Sequence, residues 1–156
     1  MRHTDRAIID DFLAQRRLAV IGVSQQKNDF TRMLYREFLQ REYDAVPVHP
    51  SAAEIEGRPA FPRIADVKPG VDAALVLVPG GKAVEVVREC IEAGVKRIWL
   101  YRAVTAGALS SEAVDLCDRH GVAVVAGECP FMFLPNSGAI HAVHSFFRRL
   151  TGSYPG

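Results

Sequence analysis

The chain has 156 residues, 49% hydrophobic and 24% charged, and 19 basic side chains stand against 18 acidic ones for a net charge of +1. That length holds a single domain with a sizeable core. The near-neutral balance disfavours nucleic-acid binding, which calls for a basic surplus, and no apolar stretch nears the roughly 20 residues of a membrane-spanning helix. The first residues lack the apolar core of a signal peptide, and Cys90, Cys117 and Cys129 are an odd, widely spaced set with no CxxC. Both point to a cytoplasmic protein with reduced thiols.

In chain order, Thr4 is placed to cap a helix within residues 1–16, with Ile8, Ile9, Phe12 and Leu13 on one face. The β-branched run Leu18-Ala19-Val20-Ile21-Gly22-Val23 is too short for a helix and reads as a strand. Leu34 and Phe38 share the face of a second helix, supported by Met33 and Leu39. Ala45-Val46-Pro47-Val48 is a second, weaker strand. Residues 50–70, carrying Pro50, Pro59, Pro62 and Pro69, leave room only for a short edge strand near 58–61. Residues 73–78 form the strongest strand. Val84, Val87 and Ile91 then mark a helix that Gly94 ends. A strand at 97–101 precedes a helix capped by Ser110, stapled by Leu109 and Val114, and stopped by Gly121. A strand at 122–126 leads into an extension, 130–156, whose closing helix carries Ile140, Val143, Phe147 and Leu150.

Continuous apolarity in the strands means that both of their faces are covered. The expected fold is α/β: a Rossmann-like, three-layer, doubly wound and mainly parallel sheet of five to six strands, with residues 1–156 as a single domain. Ligands of such sheets lie outside the carboxyl ends of the strands, where strand order reverses. That rule selects the turns after Val23, Val48, Val78 and Tyr101, and the first three carry candidate ligand groups. The first, residues 22–32, offers Gly22, Val23 and Ser24, the hydroxyl of Thr31 and the charges of Lys27 and Arg32 before a helix N-terminus, which suits a phosphate. It is neither GxGxxG nor a Walker A loop, so a plain surface loop stays open beside the phosphate reading. The second, Val48-His49-Pro50, lacks the acid that grips a dinucleotide's ribose; it is a flat surface for an adenine ring or simply a Pro-rich strand exit. The third, Val78-Pro79-Gly80-Gly81, is an apolar lip for an uncharged ligand segment, or only the start of a helix.

Taken in order, VIGVS at 20–24, PVHP at 47–50, Gly57-Arg58-Pro59, Val71-Asp72, VP at 78–79, Ala93-Gly94-Val95-Lys96 before Ile98-Trp99, and Gly127-Glu128-Cys129-Pro130 form a pattern. It resembles the small stand-alone CoA-binding proteins, whose fold is that of the CoA-binding domain of the succinyl-CoA synthetase alpha subunit. The stretch at 129–135 and a His-bearing terminal helix resemble a subset of that family. The resemblance implies coenzyme A or an acyl-CoA across the carboxyl edge of the sheet. Gly22, Val23, Ser24 and Lys27, with Arg32, would hold phosphates; Val48, His49 and Pro50 would face the adenosine; Val78 and Pro79 would face the pantetheine arm. Residues 101–107 depart from the family's more glycine-rich turn, at the thiol end of the pocket. The phosphorylated histidine of the synthetase lies in a further domain for which 156 residues leave no room, so binding without ligation is expected.

No catalytic constellation stands out, and there is no Gly-x-Ser-x-Gly elbow. His141 and His144 have helical spacing but no HExxH companion, so they read as packed histidines before a metal site. Cys129 follows a strand at the ligand edge and is either buried or the one reactive thiol. The apolar stretch 130–135 either positions the last helix or is a dimerisation patch. The expected function is a non-catalytic or regulatory CoA-binding module, with a homodimer or a partner enzyme as its protein contact. The alternatives are an NAD(P)-binding or acyl-CoA-handling enzyme, and a protein-interaction module that has lost the ligand.

Overall fold

A computed structural model describes residues 5–78, 80–101 and 111–134. Five parallel strands form the sheet: β1 (Arg17–Ile21), β2 (Asp44–Val48), β5 (Ala73–Val76), β6 (Arg97–Leu100) and β7 (Ala123–Ala126), in spatial order β2-β1-β5-β6-β7. Each coincides with an expected apolar run. A hairpin of β3 (Glu54–Ile55) and β4 (Arg58–Pro59) makes a separate two-stranded ribbon. The expected edge strand near 58–61 shrinks to this ribbon and one parallel bridge from Phe61 to Val48, where the flanking prolines withhold ladder donors.

Strand order reverses between β1 and β5. Right-handed crossovers to the left and to the right therefore put their helices on opposite faces. Helix α2 (Phe30–Gln40) covers one face; α3 (Gly80–Glu92) and α4 (Ser111–Arg119) cover the other. The first face would be bare over β6 and β7 but for α1 (Arg6–Leu13) and residues 130–134. Phe12 of α1 meets Trp99 edge-to-face at 5.3 Å, and the Trp99 indole N–H donates to the Glu128 carbonyl at 2.7 Å.

Two local readings change, and a third, left open between two alternatives, is decided. The cap of α1 is Asp5, whose carboxylate accepts from the Ala7 N–H at 2.9 Å; Thr4 lies outside the described residues. In α2, Met33 is exposed and Tyr35 is buried in its stead, its hydroxyl donating to the Ala45 carbonyl at 2.8 Å. Residues 130–134 are buried in the first face, which answers the choice between internal packing and an exposed patch in favour of packing. Ser110, Leu109, His141, His144 and the closing helix lie outside the described residues.

Candidate functional site

The reversal of strand order brings the exits of β1 and β5 side by side. The ladder runs one residue beyond the strands: the Leu77 N–H donates to the Ile21 carbonyl at 2.8 Å, and that of Tyr101 to Val76 at 3.1 Å. Gly22 lies in this crossing with φ of +100°, and a Cβ there would stand 3.1 Å from the Leu77 carbonyl carbon, the Val78 nitrogen and a Val78 methyl. Both facts demand glycine. The close approach that this glycine permits is thus between two stretches of the chain itself, β1 and β5, at the topological switch point.

From Gly22 the chain enters the β1–α2 turn. Val23 is buried, so only its backbone faces the turn, whereas Lys27 is exposed and makes no ion pair among the described residues. The Ser24 N–H donates to Thr31 Oγ1 at 2.9 Å, and Ser24 Oγ accepts from the Gln26 N–H at 3.0 Å. Asp29 caps α2, accepting from the Thr31 N–H at 2.8 Å and the Thr31 hydroxyl at 2.5 Å. A carboxylate therefore already sits at this helix end, and an anion would have to meet the turn before it.

Arg32, read as a source of charge for a phosphate, is only 8% exposed. Its Nε and Nη2 bond Glu56 Oε2 at 2.7 and 2.6 Å, and its Nη1 donates to the Ser24 and Gln25 carbonyls at 3.2 and 3.1 Å. Arg36 donates from Nε to Glu56 Oε1 at 3.0 Å and from Nη2 to the Lys27 carbonyl at 2.7 Å. Burial alone would push the Glu56 carboxyl up; the hydrogen bonds and charges of the two arginines outweigh it and hold the group below its ordinary value. Glu56 and Arg36 escape a sequence reading because they meet only after the hairpin folds onto α2.

At the second turn, Val48 is buried, His49 half-buried and Pro50 exposed. His49 Nδ1 accepts from the N–H groups of Ser51 and Ala52 at 3.1 and 2.9 Å, so the neutral ring carries its proton on Nε2. The imidazole is thereby held in one orientation on the same edge of the sheet as Gly22. At the third turn Val78 is half-buried against Gly22; Pro79 lies outside the described residues. A ring chain closes the far side of the edge, with Phe30 at 5.9 Å from Tyr101 and 5.4 Å from Phe131. Phe30 opens α2 and Tyr101 follows β6, far apart in the chain, so no local pattern announces their contact. Cys129 is 3% exposed.

Two other features bear on the site. A cleft of about 330 Å³ lies at the opposite edge, where the strands begin; its rim mixes Arg63 and Lys68 with Glu89 and Glu92, which suits no single ligand charge. No group of three or more His, Cys, Asp or Glu side chains among the described residues could hold a metal ion.

The family model described as a CoA binding domain matches residues 16–135. The chain belongs to the CoA-binding domain family. Among curated relatives, this CoA-binding domain is 27% identical over 122 residues to the ADP-forming acetate–CoA ligase I of Archaeoglobus fulgidus, covering 72% of the chain and 17% of the relative. It is 27% identical over 135 residues to the alpha subunit of the ADP-forming acetate–CoA ligase II of Pyrococcus furiosus, covering 78% of the chain and 28% of that subunit. The domain thus spans under a third of the length of these relatives.

Among solved structures, a hypothetical protein from Pyrococcus horikoshii OT3 superposes with a TM-score of 0.73 at 24% identity, over 82% of this chain and 87% of that one, which shows the fold. The dinucleotide-forming acetyl-coenzyme A synthetase 1 of Ca. Korarchaeum cryptofilum superposes with a TM-score of 0.63 at 27% identity, over 72% of this chain and 26% of that one. The CoA-binding domain here is homologous to a domain that acyl-CoA synthetases carry. Among the described residues no helix is long and apolar enough to cross a membrane.

Proposed function

We propose that this CoA-binding domain takes coenzyme A or an acyl-CoA across the carboxyl edge of its sheet and does no chemistry on it. One observation carries the location: the crossing at Gly22, where β1 and β5 exit together and the first and third turns adjoin. The phosphates would lie over the turn at Gly22, Val23, Ser24 and Lys27, the adenosine against Val48, His49 and Pro50, and the pantetheine arm along Val78 and Pro79. Arg32 belongs to this set as a brace of the turn, since its guanidinium is already engaged by Glu56 and two carbonyls. A non-catalytic role fits a site edge whose one cysteine, Cys129, is buried. The domain would then act in the cytoplasm as a carrier or sensor, or hand its ligand to a partner enzyme.

The test is thermal stability against ligand concentration. CoA should raise the melting temperature in proportion to the logarithm of its excess over the dissociation constant, and NAD should not. Native mass spectrometry of the purified protein should retain a mass matching CoA or an acyl-CoA. No shift at millimolar CoA rules the reading out. Turnover of an acyl-CoA that Cys129→Ser abolishes would replace it with the enzymatic alternative.

A further inference from the structure

We infer that Glu56, which stands on the hairpin and outside all three turns, is the positioning residue that sets the β1–α2 turn for its ligand. The ligand part of this inference rests on the CoA reading above; the mechanical part rests on the clasp alone. A guanidinium as buried as that of Arg32, at 8% exposure, needs a paired charge to stay where it is. Glu56 supplies it, and with two nitrogens of Arg32 held at 2.7 and 2.6 Å the third is aimed at the carbonyls of Ser24 and Gln25. The other oxygen of the same carboxylate orients Arg36, whose second arm takes the Lys27 carbonyl at 2.7 Å.

A trans peptide sends its C=O and its N–H to opposite sides of the chain. Drawing the carbonyls of Ser24, Gln25 and Lys27 onto the arginines therefore turns the N–H groups of Gln25, Gln26 and Asn28 the other way. Ser24 Oγ takes that of Gln26 at 3.0 Å. Those of Gln25 and Asn28 find no protein partner among the described residues. The outcome is a turn with its donors outward, the arrangement that cradles a phosphate, fixed by two arginines that share one carboxylate behind it. Glu56 thus acts on the ligand through the backbone, and the hairpin and the turn move together.

Glu56→Gln keeps the side chain's volume and removes its charge. In the ligand-free protein, the bonded amides of the turn, those of Ser24 and Gln26, should exchange with solvent faster than in the wild type, while those of β1 and β5 keep their protection. The dissociation constant for CoA should rise by about tenfold, the size expected for losing charged hydrogen bonds. Glu56→Asp should restore part of both effects. Should Glu56→Gln fold poorly, Arg36→Met serves instead, because Arg36 is about a third exposed on its helix; it should speed exchange at Gln26 and weaken CoA by about threefold. Unchanged exchange at Ser24 and Gln26 overturns the brace. Faster exchange with unchanged or tighter CoA binding overturns the positioning role. A wild type that binds no CoA defeats the ligand reading, and the exchange measurement still decides the brace.

Discussion

The two faces of the sheet solve the same covering problem with different chemistry. Under α1, α2 and residues 130–134 the core is aromatic: Phe12, Tyr35, Phe38, Trp99, Phe131 and Phe133 pack there. Under α3 and α4 the buried residues are aliphatic or small, with Cys90 and Cys117 among them. The first face also carries the ionic clasp of Glu56 with Arg32 and Arg36. Helix α3 begins within four residues of the end of β5, whereas α2 must hold a long turn in one shape. Directional contacts, rings edge-on and charges in forks, collect where a loop needs to be set; undirected aliphatic packing suffices where only a helix needs to be held.

The largest break in that contrast comes from truncating its anchors. Trp99→Ala should cost about 4 kcal/mol in urea unfolding, and Val87→Ala, equally buried on the second face, about 2 kcal/mol. Equal losses would remove the distinction. Gly22→Ala puts a methyl into the strand crossing at φ of +100° and should cost about 2 kcal/mol while weakening CoA, read by unfolding and by titration. Tyr35→Phe strands the Ala45 carbonyl and should cost about 1 kcal/mol, with CoA affinity kept.

The smallest effects are in pH. The Glu56 carboxyl is held below its ordinary value, so its contribution is present above pH 4.5 and is lost as pH falls; Glu56→Gln should flatten that acid limb of the stability curve. Burial pushes the Cys90 and Cys117 thiols up to about 12, so their contribution is intact below pH 9.0 and fades as pH rises through that interval. Burial also raises Tyr35 on the first face, from 10.0. A thiol reagent at pH 8 should leave both cysteines unmodified until the protein unfolds.

The five strands were legible because a strand covered on both faces must be apolar throughout, and a run such as residues 73–78 has no other use for its side chains. The edge proposed for the site follows from the same topology. The choice of Met33 over Tyr35 for the buried face of α2 misread the helix, because a tyrosine can be buried whole when its hydroxyl meets a strand carbonyl. Arg32 was legible as a charge but not as a strut. Its partner lies 24 residues on, at the tip of a hairpin where Glu56 and Gly57 both adopt positive φ, and no local pattern announces that meeting. Asp5, which caps α1, stands next to Thr4, and both are good capping residue types.

Trp99 has one consequence for whoever works with this protein in a cuvette. It is the sole tryptophan of the chain, wholly inaccessible to water, with its indole N–H tied to the backbone that leads into residues 130–134. Its ultraviolet emission should be blue-shifted in the native state and should move to longer wavelength when the α1 side of the sheet opens. A dye-free optical signal is therefore built into one half of the molecule only, and loosening of α3 and α4 by themselves should pass it unseen.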